Sequence, residues 1–97
     1  MEILGHTIEP IHDPTGILPG ERFDVFLDIR VPEEDEMYRP EGLTIKLIYA
    51  IVEGKGRIVQ YQIYDAVSEK YLDFALDEEE LKEVDGYVSR VLGSGGA

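Results

Sequence analysis

Four consecutive acids, Glu33, Glu34, Asp35 and Glu36, are the residues in this sequence most able to do chemistry, because clustered carboxylates can bind a divalent cation. They lie in the segment VPEEDE at 31–36. A calcium-binding loop needs oxygens at alternate positions, a glycine for the turn and a closing bidentate glutamate. Here the acids are consecutive and no glycine separates them. The spacing therefore predicts a solvated acidic loop and no metal site.

Two histidines, His6 and His12, are the other candidates for catalytic or metal chemistry. A zinc site needs a third well-placed ligand beside them, and the two would share a strand face only if the strand continued through Pro10. The sequence has no cysteine, no glycine-rich phosphate loop, no His-Glu-x-x-His motif and no serine in a nucleophile elbow. We therefore expect a protein that is not an enzyme, with no catalytic residues, no cofactor and no metal.

The charge balance limits the partners that the chain can bind. Its 97 residues include 21 acids against nine lysines and arginines, which gives a net charge of −12. An anionic surface repels such a chain over a Debye length of about 8 Å, so we expect no direct binding to nucleic acid or to a membrane. One alternative role is an acidic decoy or regulator that binds a basic nucleic-acid-binding protein through the loop at 33–36.

The N-terminal segment MEILGHTIEP does not have the form of a signal peptide, which needs a basic region followed by an apolar core. No apolar run approaches the ~20 residues that span a bilayer. We therefore expect a soluble, cytoplasmic protein.

The elements that would position these residues follow from the hydrophobic pattern. ERFDVFLDIRV at 21–31 alternates strictly, which predicts a strand with one buried face. GLTIKLIYAIV at 42–52 predicts a central strand, and EGKG at 53–56 predicts a hairpin turn into RIVQYQIYD at 57–65. Residues 2–9 predict an edge strand, and KYLDFAL at 70–76 a fifth strand.

The C-terminal part of the chain predicts one helix. Asp77 and Glu80 have the spacing of a capping box, and Leu81, Val84 and Val88 begin an apolar stripe at three- and four-residue intervals. Gly93 predicts the end of the helix. We therefore expect a single domain over residues 1–92 and a flexible tail over 93–97.

These elements predict an α+β fold, in which an antiparallel meander sheet of four to five strands carries the C-terminal helix on one face. The expected core consists of Phe23, Val25, Leu27, Ile29, Leu43, Ile45, Leu47, Ile63, Leu81, Val84 and Val88. A helix of about 15 residues is ~22 Å long and covers only one sheet face. The other face has to be covered in some other way or left open.

The uncovered face is the predicted interaction surface. Its apolar residues point away from the main core and are Phe26, Ile48, Ala50, Val52 and Tyr64. We therefore expect a protein-interaction module that uses this face or an edge strand to bind a protein partner or a second copy as a homodimer.

The tyrosines allow two further interpretations. Tyr49, Tyr61, Tyr64 and Tyr71 come from neighbouring strands, where they either pack the sheet with their hydroxyls at its rim or form a tyrosine-rich contact surface. Alternatively, Tyr49 and Tyr61 line a small-molecule pocket between sheet and helix.

Three segments carry a resemblance to a known family. DPTGILPGERFDVFLDIRVPEEDEMY at 13–38, IVQYQIYD at 58–65 and YLDFALDEEE at 71–80 resemble small acidic proteins of unknown function from Gram-positive, spore-forming bacteria. The resemblance implies a bacterial, cytoplasmic, single-domain protein. It implies no functional residue, because no activity is assigned to that family.

Overall fold

The computed structural model describes residues 1–12, 15–16 and 20–96, with the side chains of 94–96 left out. Its elements are β1 (Glu2–Ile11), β2 (Glu21–Arg30), β3 (Leu43–Val52), β4 (Lys55–Asp65), β5 (Tyr71–Leu72) and α1 (Glu78–Gly96). The strands form one five-stranded sheet in the order β1-β2-β3-β4-β5. Each neighbouring pair is antiparallel. The predicted α+β meander with a C-terminal helix is confirmed.

The strand register separates the two faces of the sheet. Val25 pairs with Leu47 and Leu27 pairs with Ile45, and all four side chains are buried on the face that carries α1. The residues between them, including Phe26, point to the opposite face, because successive side chains of a strand alternate. The alternation that predicted β2 therefore also determines which residues the helix covers.

The hydrophobic core lies between the sheet and α1. The predicted core residues are buried in the structure, except Phe23 and Leu81, which are half-buried at its margin. Four further buried residues of the described chain belong to the same core cluster: Val31, Met37, Tyr49 and Leu76. Met37 belongs to the loop that carries the acidic run, so that loop is anchored in the core by an apolar side chain.

β1, the strand at one edge of the sheet, continues through Pro10 to Ile11. Proline has no N–H to donate, and it is tolerated here because only one side of β1 is paired, with β2. A register shift between Ile3 and Gly5 marks a β-bulge, and Leu4 within it is exposed. The outer edge of this strand is therefore irregular.

The turn between β3 and β4 has the geometry that the EGKG segment predicts. Glu53 and Gly54 have φ values of 54° and 79°. Positive φ at both central residues is the requirement of a type I′ turn, whose twist matches that of a two-stranded hairpin.

The capping box of α1 is formed as predicted. The N–H of Glu80 donates to Asp77 Oδ1 at 2.8 Å, and the N–H of Asp77 donates to Glu80 Oε1 at 3.0 Å. The helix continues past Gly93, its predicted end, to Gly96. Ala97 lies outside the described residues, and the flexibility of 93–97 stays a prediction.

Candidate functional site

The acidic loop uses one of its carboxylates to shape its own turn. Asp35 Oδ1 accepts the N–H of Met37 at 2.9 Å, and two backbone hydrogen bonds of 3.0 Å close turns around Asp35. Glu33, Glu34 and Glu36 are exposed. Within the described ranges, no three histidine or acidic side chains are grouped so that they could hold a metal ion. Asp35 therefore has a structural role in the turn of this loop.

A second carboxylate, Asp65, is buried at the end of β4 and holds the turn that leads to β5. Its Oδ1 accepts the N–H groups of Val67 and Ser68, each at 2.9 Å. The Ser68 N–H is the main cause that lowers the pKa of Asp65 to about 2. Arg39 Nε lies 4.0 Å from Asp65 Oδ2, so this carboxylate also ties the turn to the preceding loop.

The two histidines occupy different environments. A hydrogen bond of 2.8 Å joins His6 Nδ1 to the hydroxyl of Tyr87 on α1, and the two rings meet edge to face at 5.5 Å. His12 follows the last residue of β1 and is exposed. His6 therefore connects the edge strand to the helix.

The four tyrosines do not form one surface. Tyr61 pairs with Leu47, and Tyr49 lies two residues further along β3, so both point to the helix side. Tyr64 and Tyr71 point to the opposite face, where their rings meet edge to face at 6.0 Å. A single tyrosine-rich contact surface made of all four is therefore not formed, because alternation along β3 and β4 divides the tyrosines between the two faces.

Tyr49 forms a buried polar contact that the sequence did not reveal. Its side chain is 1% exposed, and its hydroxyl donates to Asp85 Oδ1 on α1 at 2.6 Å. Burial, together with this hydrogen bond to a carboxylate, raises the pKa of Tyr49 to about 12. The ring lies against Gly56 of β4, where any Cβ atom would collide with it. Gly56 is therefore the residue in the sequence that could have indicated a bulky side chain packed against this point of β4.

The predicted interaction face is interrupted by polar residues. Ile48 lies between Asp24 of β2 and Gln60 of β4, and Phe26 lies beside Lys46, whose ammonium is 5.8 Å from the ring centroid. Phe26, Ile48, Val52 and Tyr64 are half-buried. Ala50 is 1% exposed and therefore inaccessible to a partner. The apolar residues of this face do not form a continuous patch.

The outer edge of β4 is a second candidate surface of the sheet. β5 pairs only with Ile63 and Tyr64, so the part of β4 over 55–62 has no strand partner on its outer side among the described residues. The N–H of Asp65 donates outward, to the carbonyl of Lys70 at 3.0 Å. Because alternate residues of a strand direct their backbone groups to the same side, Tyr61 also points its N–H and C=O outward.

A groove runs between this edge and α1. It has a volume of about 520 Å³ and is lined on its apolar side by Ile58, Val59, Tyr61 and Leu81, with Gln60, Lys82 and Asp85 as its polar residues. Val59 is 41% exposed and is the extra residue of a β-bulge between the partners of Ile48 and Tyr49. Bulges often redirect a side chain next to a binding site.

Tyr61 is fixed at the floor of this groove, because its hydroxyl accepts the N–H of Leu76 at 2.9 Å. The small-molecule hypothesis expected a pocket between sheet and helix lined by Tyr49 and Tyr61. Tyr61 lines the groove, whereas Tyr49 is buried beneath the helix.

Comparison with known proteins gives a family and no further relative. The model of a family described as "Family of unknown function (DUF6509)" matches residues 1–94. No curated protein and no solved structure matches the chain. Separately, within the part of the chain that the structure describes, no helix has both the length and the apolar character needed to cross a membrane.

Proposed function

This chain belongs to the DUF6509 family, whose function is unknown, and we propose from its own surface that it is a protein-interaction module that is not an enzyme. It binds an extended segment of a partner protein along the outer edge of β4. The segment adds a strand to the sheet and lays alternate side chains into the groove beside α1. As part of the same proposal, the protein acts in the cytoplasm and needs no cofactor.

The observation that carries this proposal is the length difference between β4 and β5. β4 has 11 residues and β5 has two, so among the described residues most of the outer edge of β4 has no strand partner. An unpaired edge is a template for another strand, and main-chain hydrogen bonds supply affinity when a peptide adds to it. The groove of about 520 Å³ beside it supplies side-chain contacts for the same segment.

The edge supports binding better than the uncovered sheet face does. On that face, each apolar side chain has a polar neighbour across the strands, as Ile48 has in Asp24 and Gln60. Four of the residues that line the groove are apolar, Ile58, Val59 and Tyr61 of β4 and Leu81 of α1. In strand addition, main-chain hydrogen bonds give affinity and pockets for alternate side chains give specificity, and this groove would accept such side chains.

The test is to select linear peptides from a random library on the immobilised protein and to map their binding by NMR. We expect the selected peptides to shift the amide resonances of residues 55–62 and of the facing turn of α1. Val59→Asp should abolish binding, because a charge in the apolar groove has to be desolvated when the segment binds. Val67→Asp is the matched control, since Val67 is 73% exposed in the turn after β4 and lies outside the groove.

Two results would contradict the proposal. Selected peptides could shift residues of the opposite face, such as Phe26 and Tyr64, or Val59→Asp could bind them as well as Val67→Asp does. Far-ultraviolet circular dichroism of both variants checks that the domain remains folded.

A further inference from the structure

We infer that the partner segment alternates apolar with acidic residues; this inference rests on the proposed function and specifies the chemistry of its ligand. A strand added to β4 would have two faces, because its side chains alternate like those of β4. Each face would meet a different set of residues, and the strand register identifies both sets.

On the helix side, the added strand meets apolar side chains. Tyr61 pairs with Leu47, which places it on that side, and Ile58 pairs with Tyr49 and is half-buried there. Leu81 of α1 forms the facing wall of the groove. Every second residue of the partner segment would therefore be aliphatic or aromatic.

On the opposite side, the added strand meets positive charge. Arg57 pairs with Ala50 and Lys55 pairs with Val52, so both cations lie on the face away from the helix, and both are exposed. The sequence of β4 before Asp65, KGRIVQYQIY, contains no acid, although the whole chain carries 21. The residues of the segment between its apolar positions would therefore carry carboxylates.

The groove adds a third cation and one acid. Lys82 lines it from α1, and Asp85 is the acid that lines it. The Asp85 carboxylate already accepts the Tyr49 hydroxyl at 2.6 Å. Local charge dominates recognition here, because the Debye length of about 8 Å at physiological salt screens the more distant acids of the chain.

The same charges argue against a second copy of this chain as the occupant. Antiparallel pairing of the free stretch of β4 with itself about a two-fold axis would bring Lys55 and Arg57 of both copies onto one side of the joined sheet. A second copy would offer these cations no carboxylate, because residues 55–62 contain no acid. An acidic segment neutralises the same residues.

The test compares three synthetic peptides of about eight residues, long enough to cover the free stretch of β4. In the first peptide glutamate alternates with valine, in the second lysine alternates with valine, and in the third the same glutamates and valines stand in two blocks. Binding is measured by fluorescence anisotropy and mapped by amide shifts at physiological salt, where the distant acids of the chain are screened. We expect the alternating acidic peptide to bind about tenfold more tightly than the lysine peptide, because two exposed ion pairs with Lys55 and Arg57 replace two like-charge contacts. It should also bind more tightly than the block peptide.

Arg57→Glu should reverse the preference between the two alternating peptides. Lys70→Glu changes the net charge of the protein by the same amount in the turn outside the groove, and it should leave the preference unchanged. If the lysine peptide binds this edge as well as the acidic one, the inference is overturned while strand addition stands. If none of the three peptides shifts residues 55–62, both the inference and the proposed function fail.

Discussion

The hydrogen bond between Tyr49 and Asp85 makes a prediction about stability whose magnitude follows from its geometry. Tyr49→Phe removes the hydroxyl and keeps the buried ring, which is 1% exposed. The lost bond is 2.6 Å long and is accepted by a carboxylate. Hydrogen bonds to charged groups contribute about 1.5–3 kcal/mol. We therefore expect the free energy of unfolding at pH 7 to fall by about 2 kcal/mol, out of a typical total of roughly 5–15 kcal/mol.

The pH dependence of this loss follows from the pKa of Tyr49, which burial and Asp85 raise from 10.0 to about 12. A group whose pKa is raised on folding contributes stability that is complete below its unfolded pKa and is lost as the pH rises through its folded pKa. The free energy of unfolding of the wild-type protein should therefore fall by about 1.4 kcal/mol between pH 9 and pH 11 through this group, because pH 11 lies one unit above the unfolded pKa of 10.0. Tyr49→Phe has no such group, so the two proteins should converge in stability over this range.

The assay is urea unfolding followed by circular dichroism at pH 7 and pH 11. Tyr71→Phe is the matched control, since Tyr71 is 58% exposed and its hydroxyl is 3.5 Å from Asp73, and it should unfold like the wild-type protein at pH 7. The reasoning is refuted if Tyr49→Phe is as stable as the wild-type protein at pH 7. It is equally refuted if the difference between them at pH 11 is as large as at pH 7.

Two further predictions concern glycines and the buried carboxylate. Gly86→Ala should raise the free energy of unfolding by up to about 1 kcal/mol, since a Cβ at this helical position meets nothing within 4 Å. Gly56→Ala should lower the free energy of unfolding, because its Cβ would collide with the Tyr49 ring. Urea unfolding that ranks the two variants in the opposite order would contradict this prediction. Asp65→Asn should lower the melting temperature at pH 7. The pKa of Asp65 is lowered on folding, so the stability that its carboxylate contributes is lost as it is protonated. The difference in melting temperature from the wild-type protein should therefore shrink as the pH falls from about 4 to 2. Scanning calorimetry that gives a constant difference over this range would exclude the mechanism.

Local patterns in the sequence were sufficient to predict the meander and its helix. Strict alternation over residues 23–31 decided which side chains of β2 meet the helix, and the spacing of Asp77 and Glu80 decided where the helix begins. Both features depend on residues that are close together in the chain, because hydrophobic periodicity and helix capping act over a few residues.

The candidate site depended on pairing between distant residues, which those patterns do not encode. Among the described residues, most of the edge of β4 has no strand partner because β5 pairs over two residues, although the segment KYLDFAL predicted a full strand. The Tyr49–Asp85 contact joins residues 36 positions apart. The sequence predicted an edge strand as one possible binding site, and only the strand register shows which edge has no partner among the described residues.

The proline and the bulge in β1 affect how many partners the sheet can accept in succession. A sheet with two open edges can propagate end to end into a fibre, because each added molecule presents a fresh template. In this protein the free part of β4 lies at one side of the sheet, while at the other side Pro10 lacks a donor and the chain shifts register at Gly5. If β4 binds a partner strand as proposed, copies of this protein would therefore not join end to end through both edges, and the sheet would end at β1.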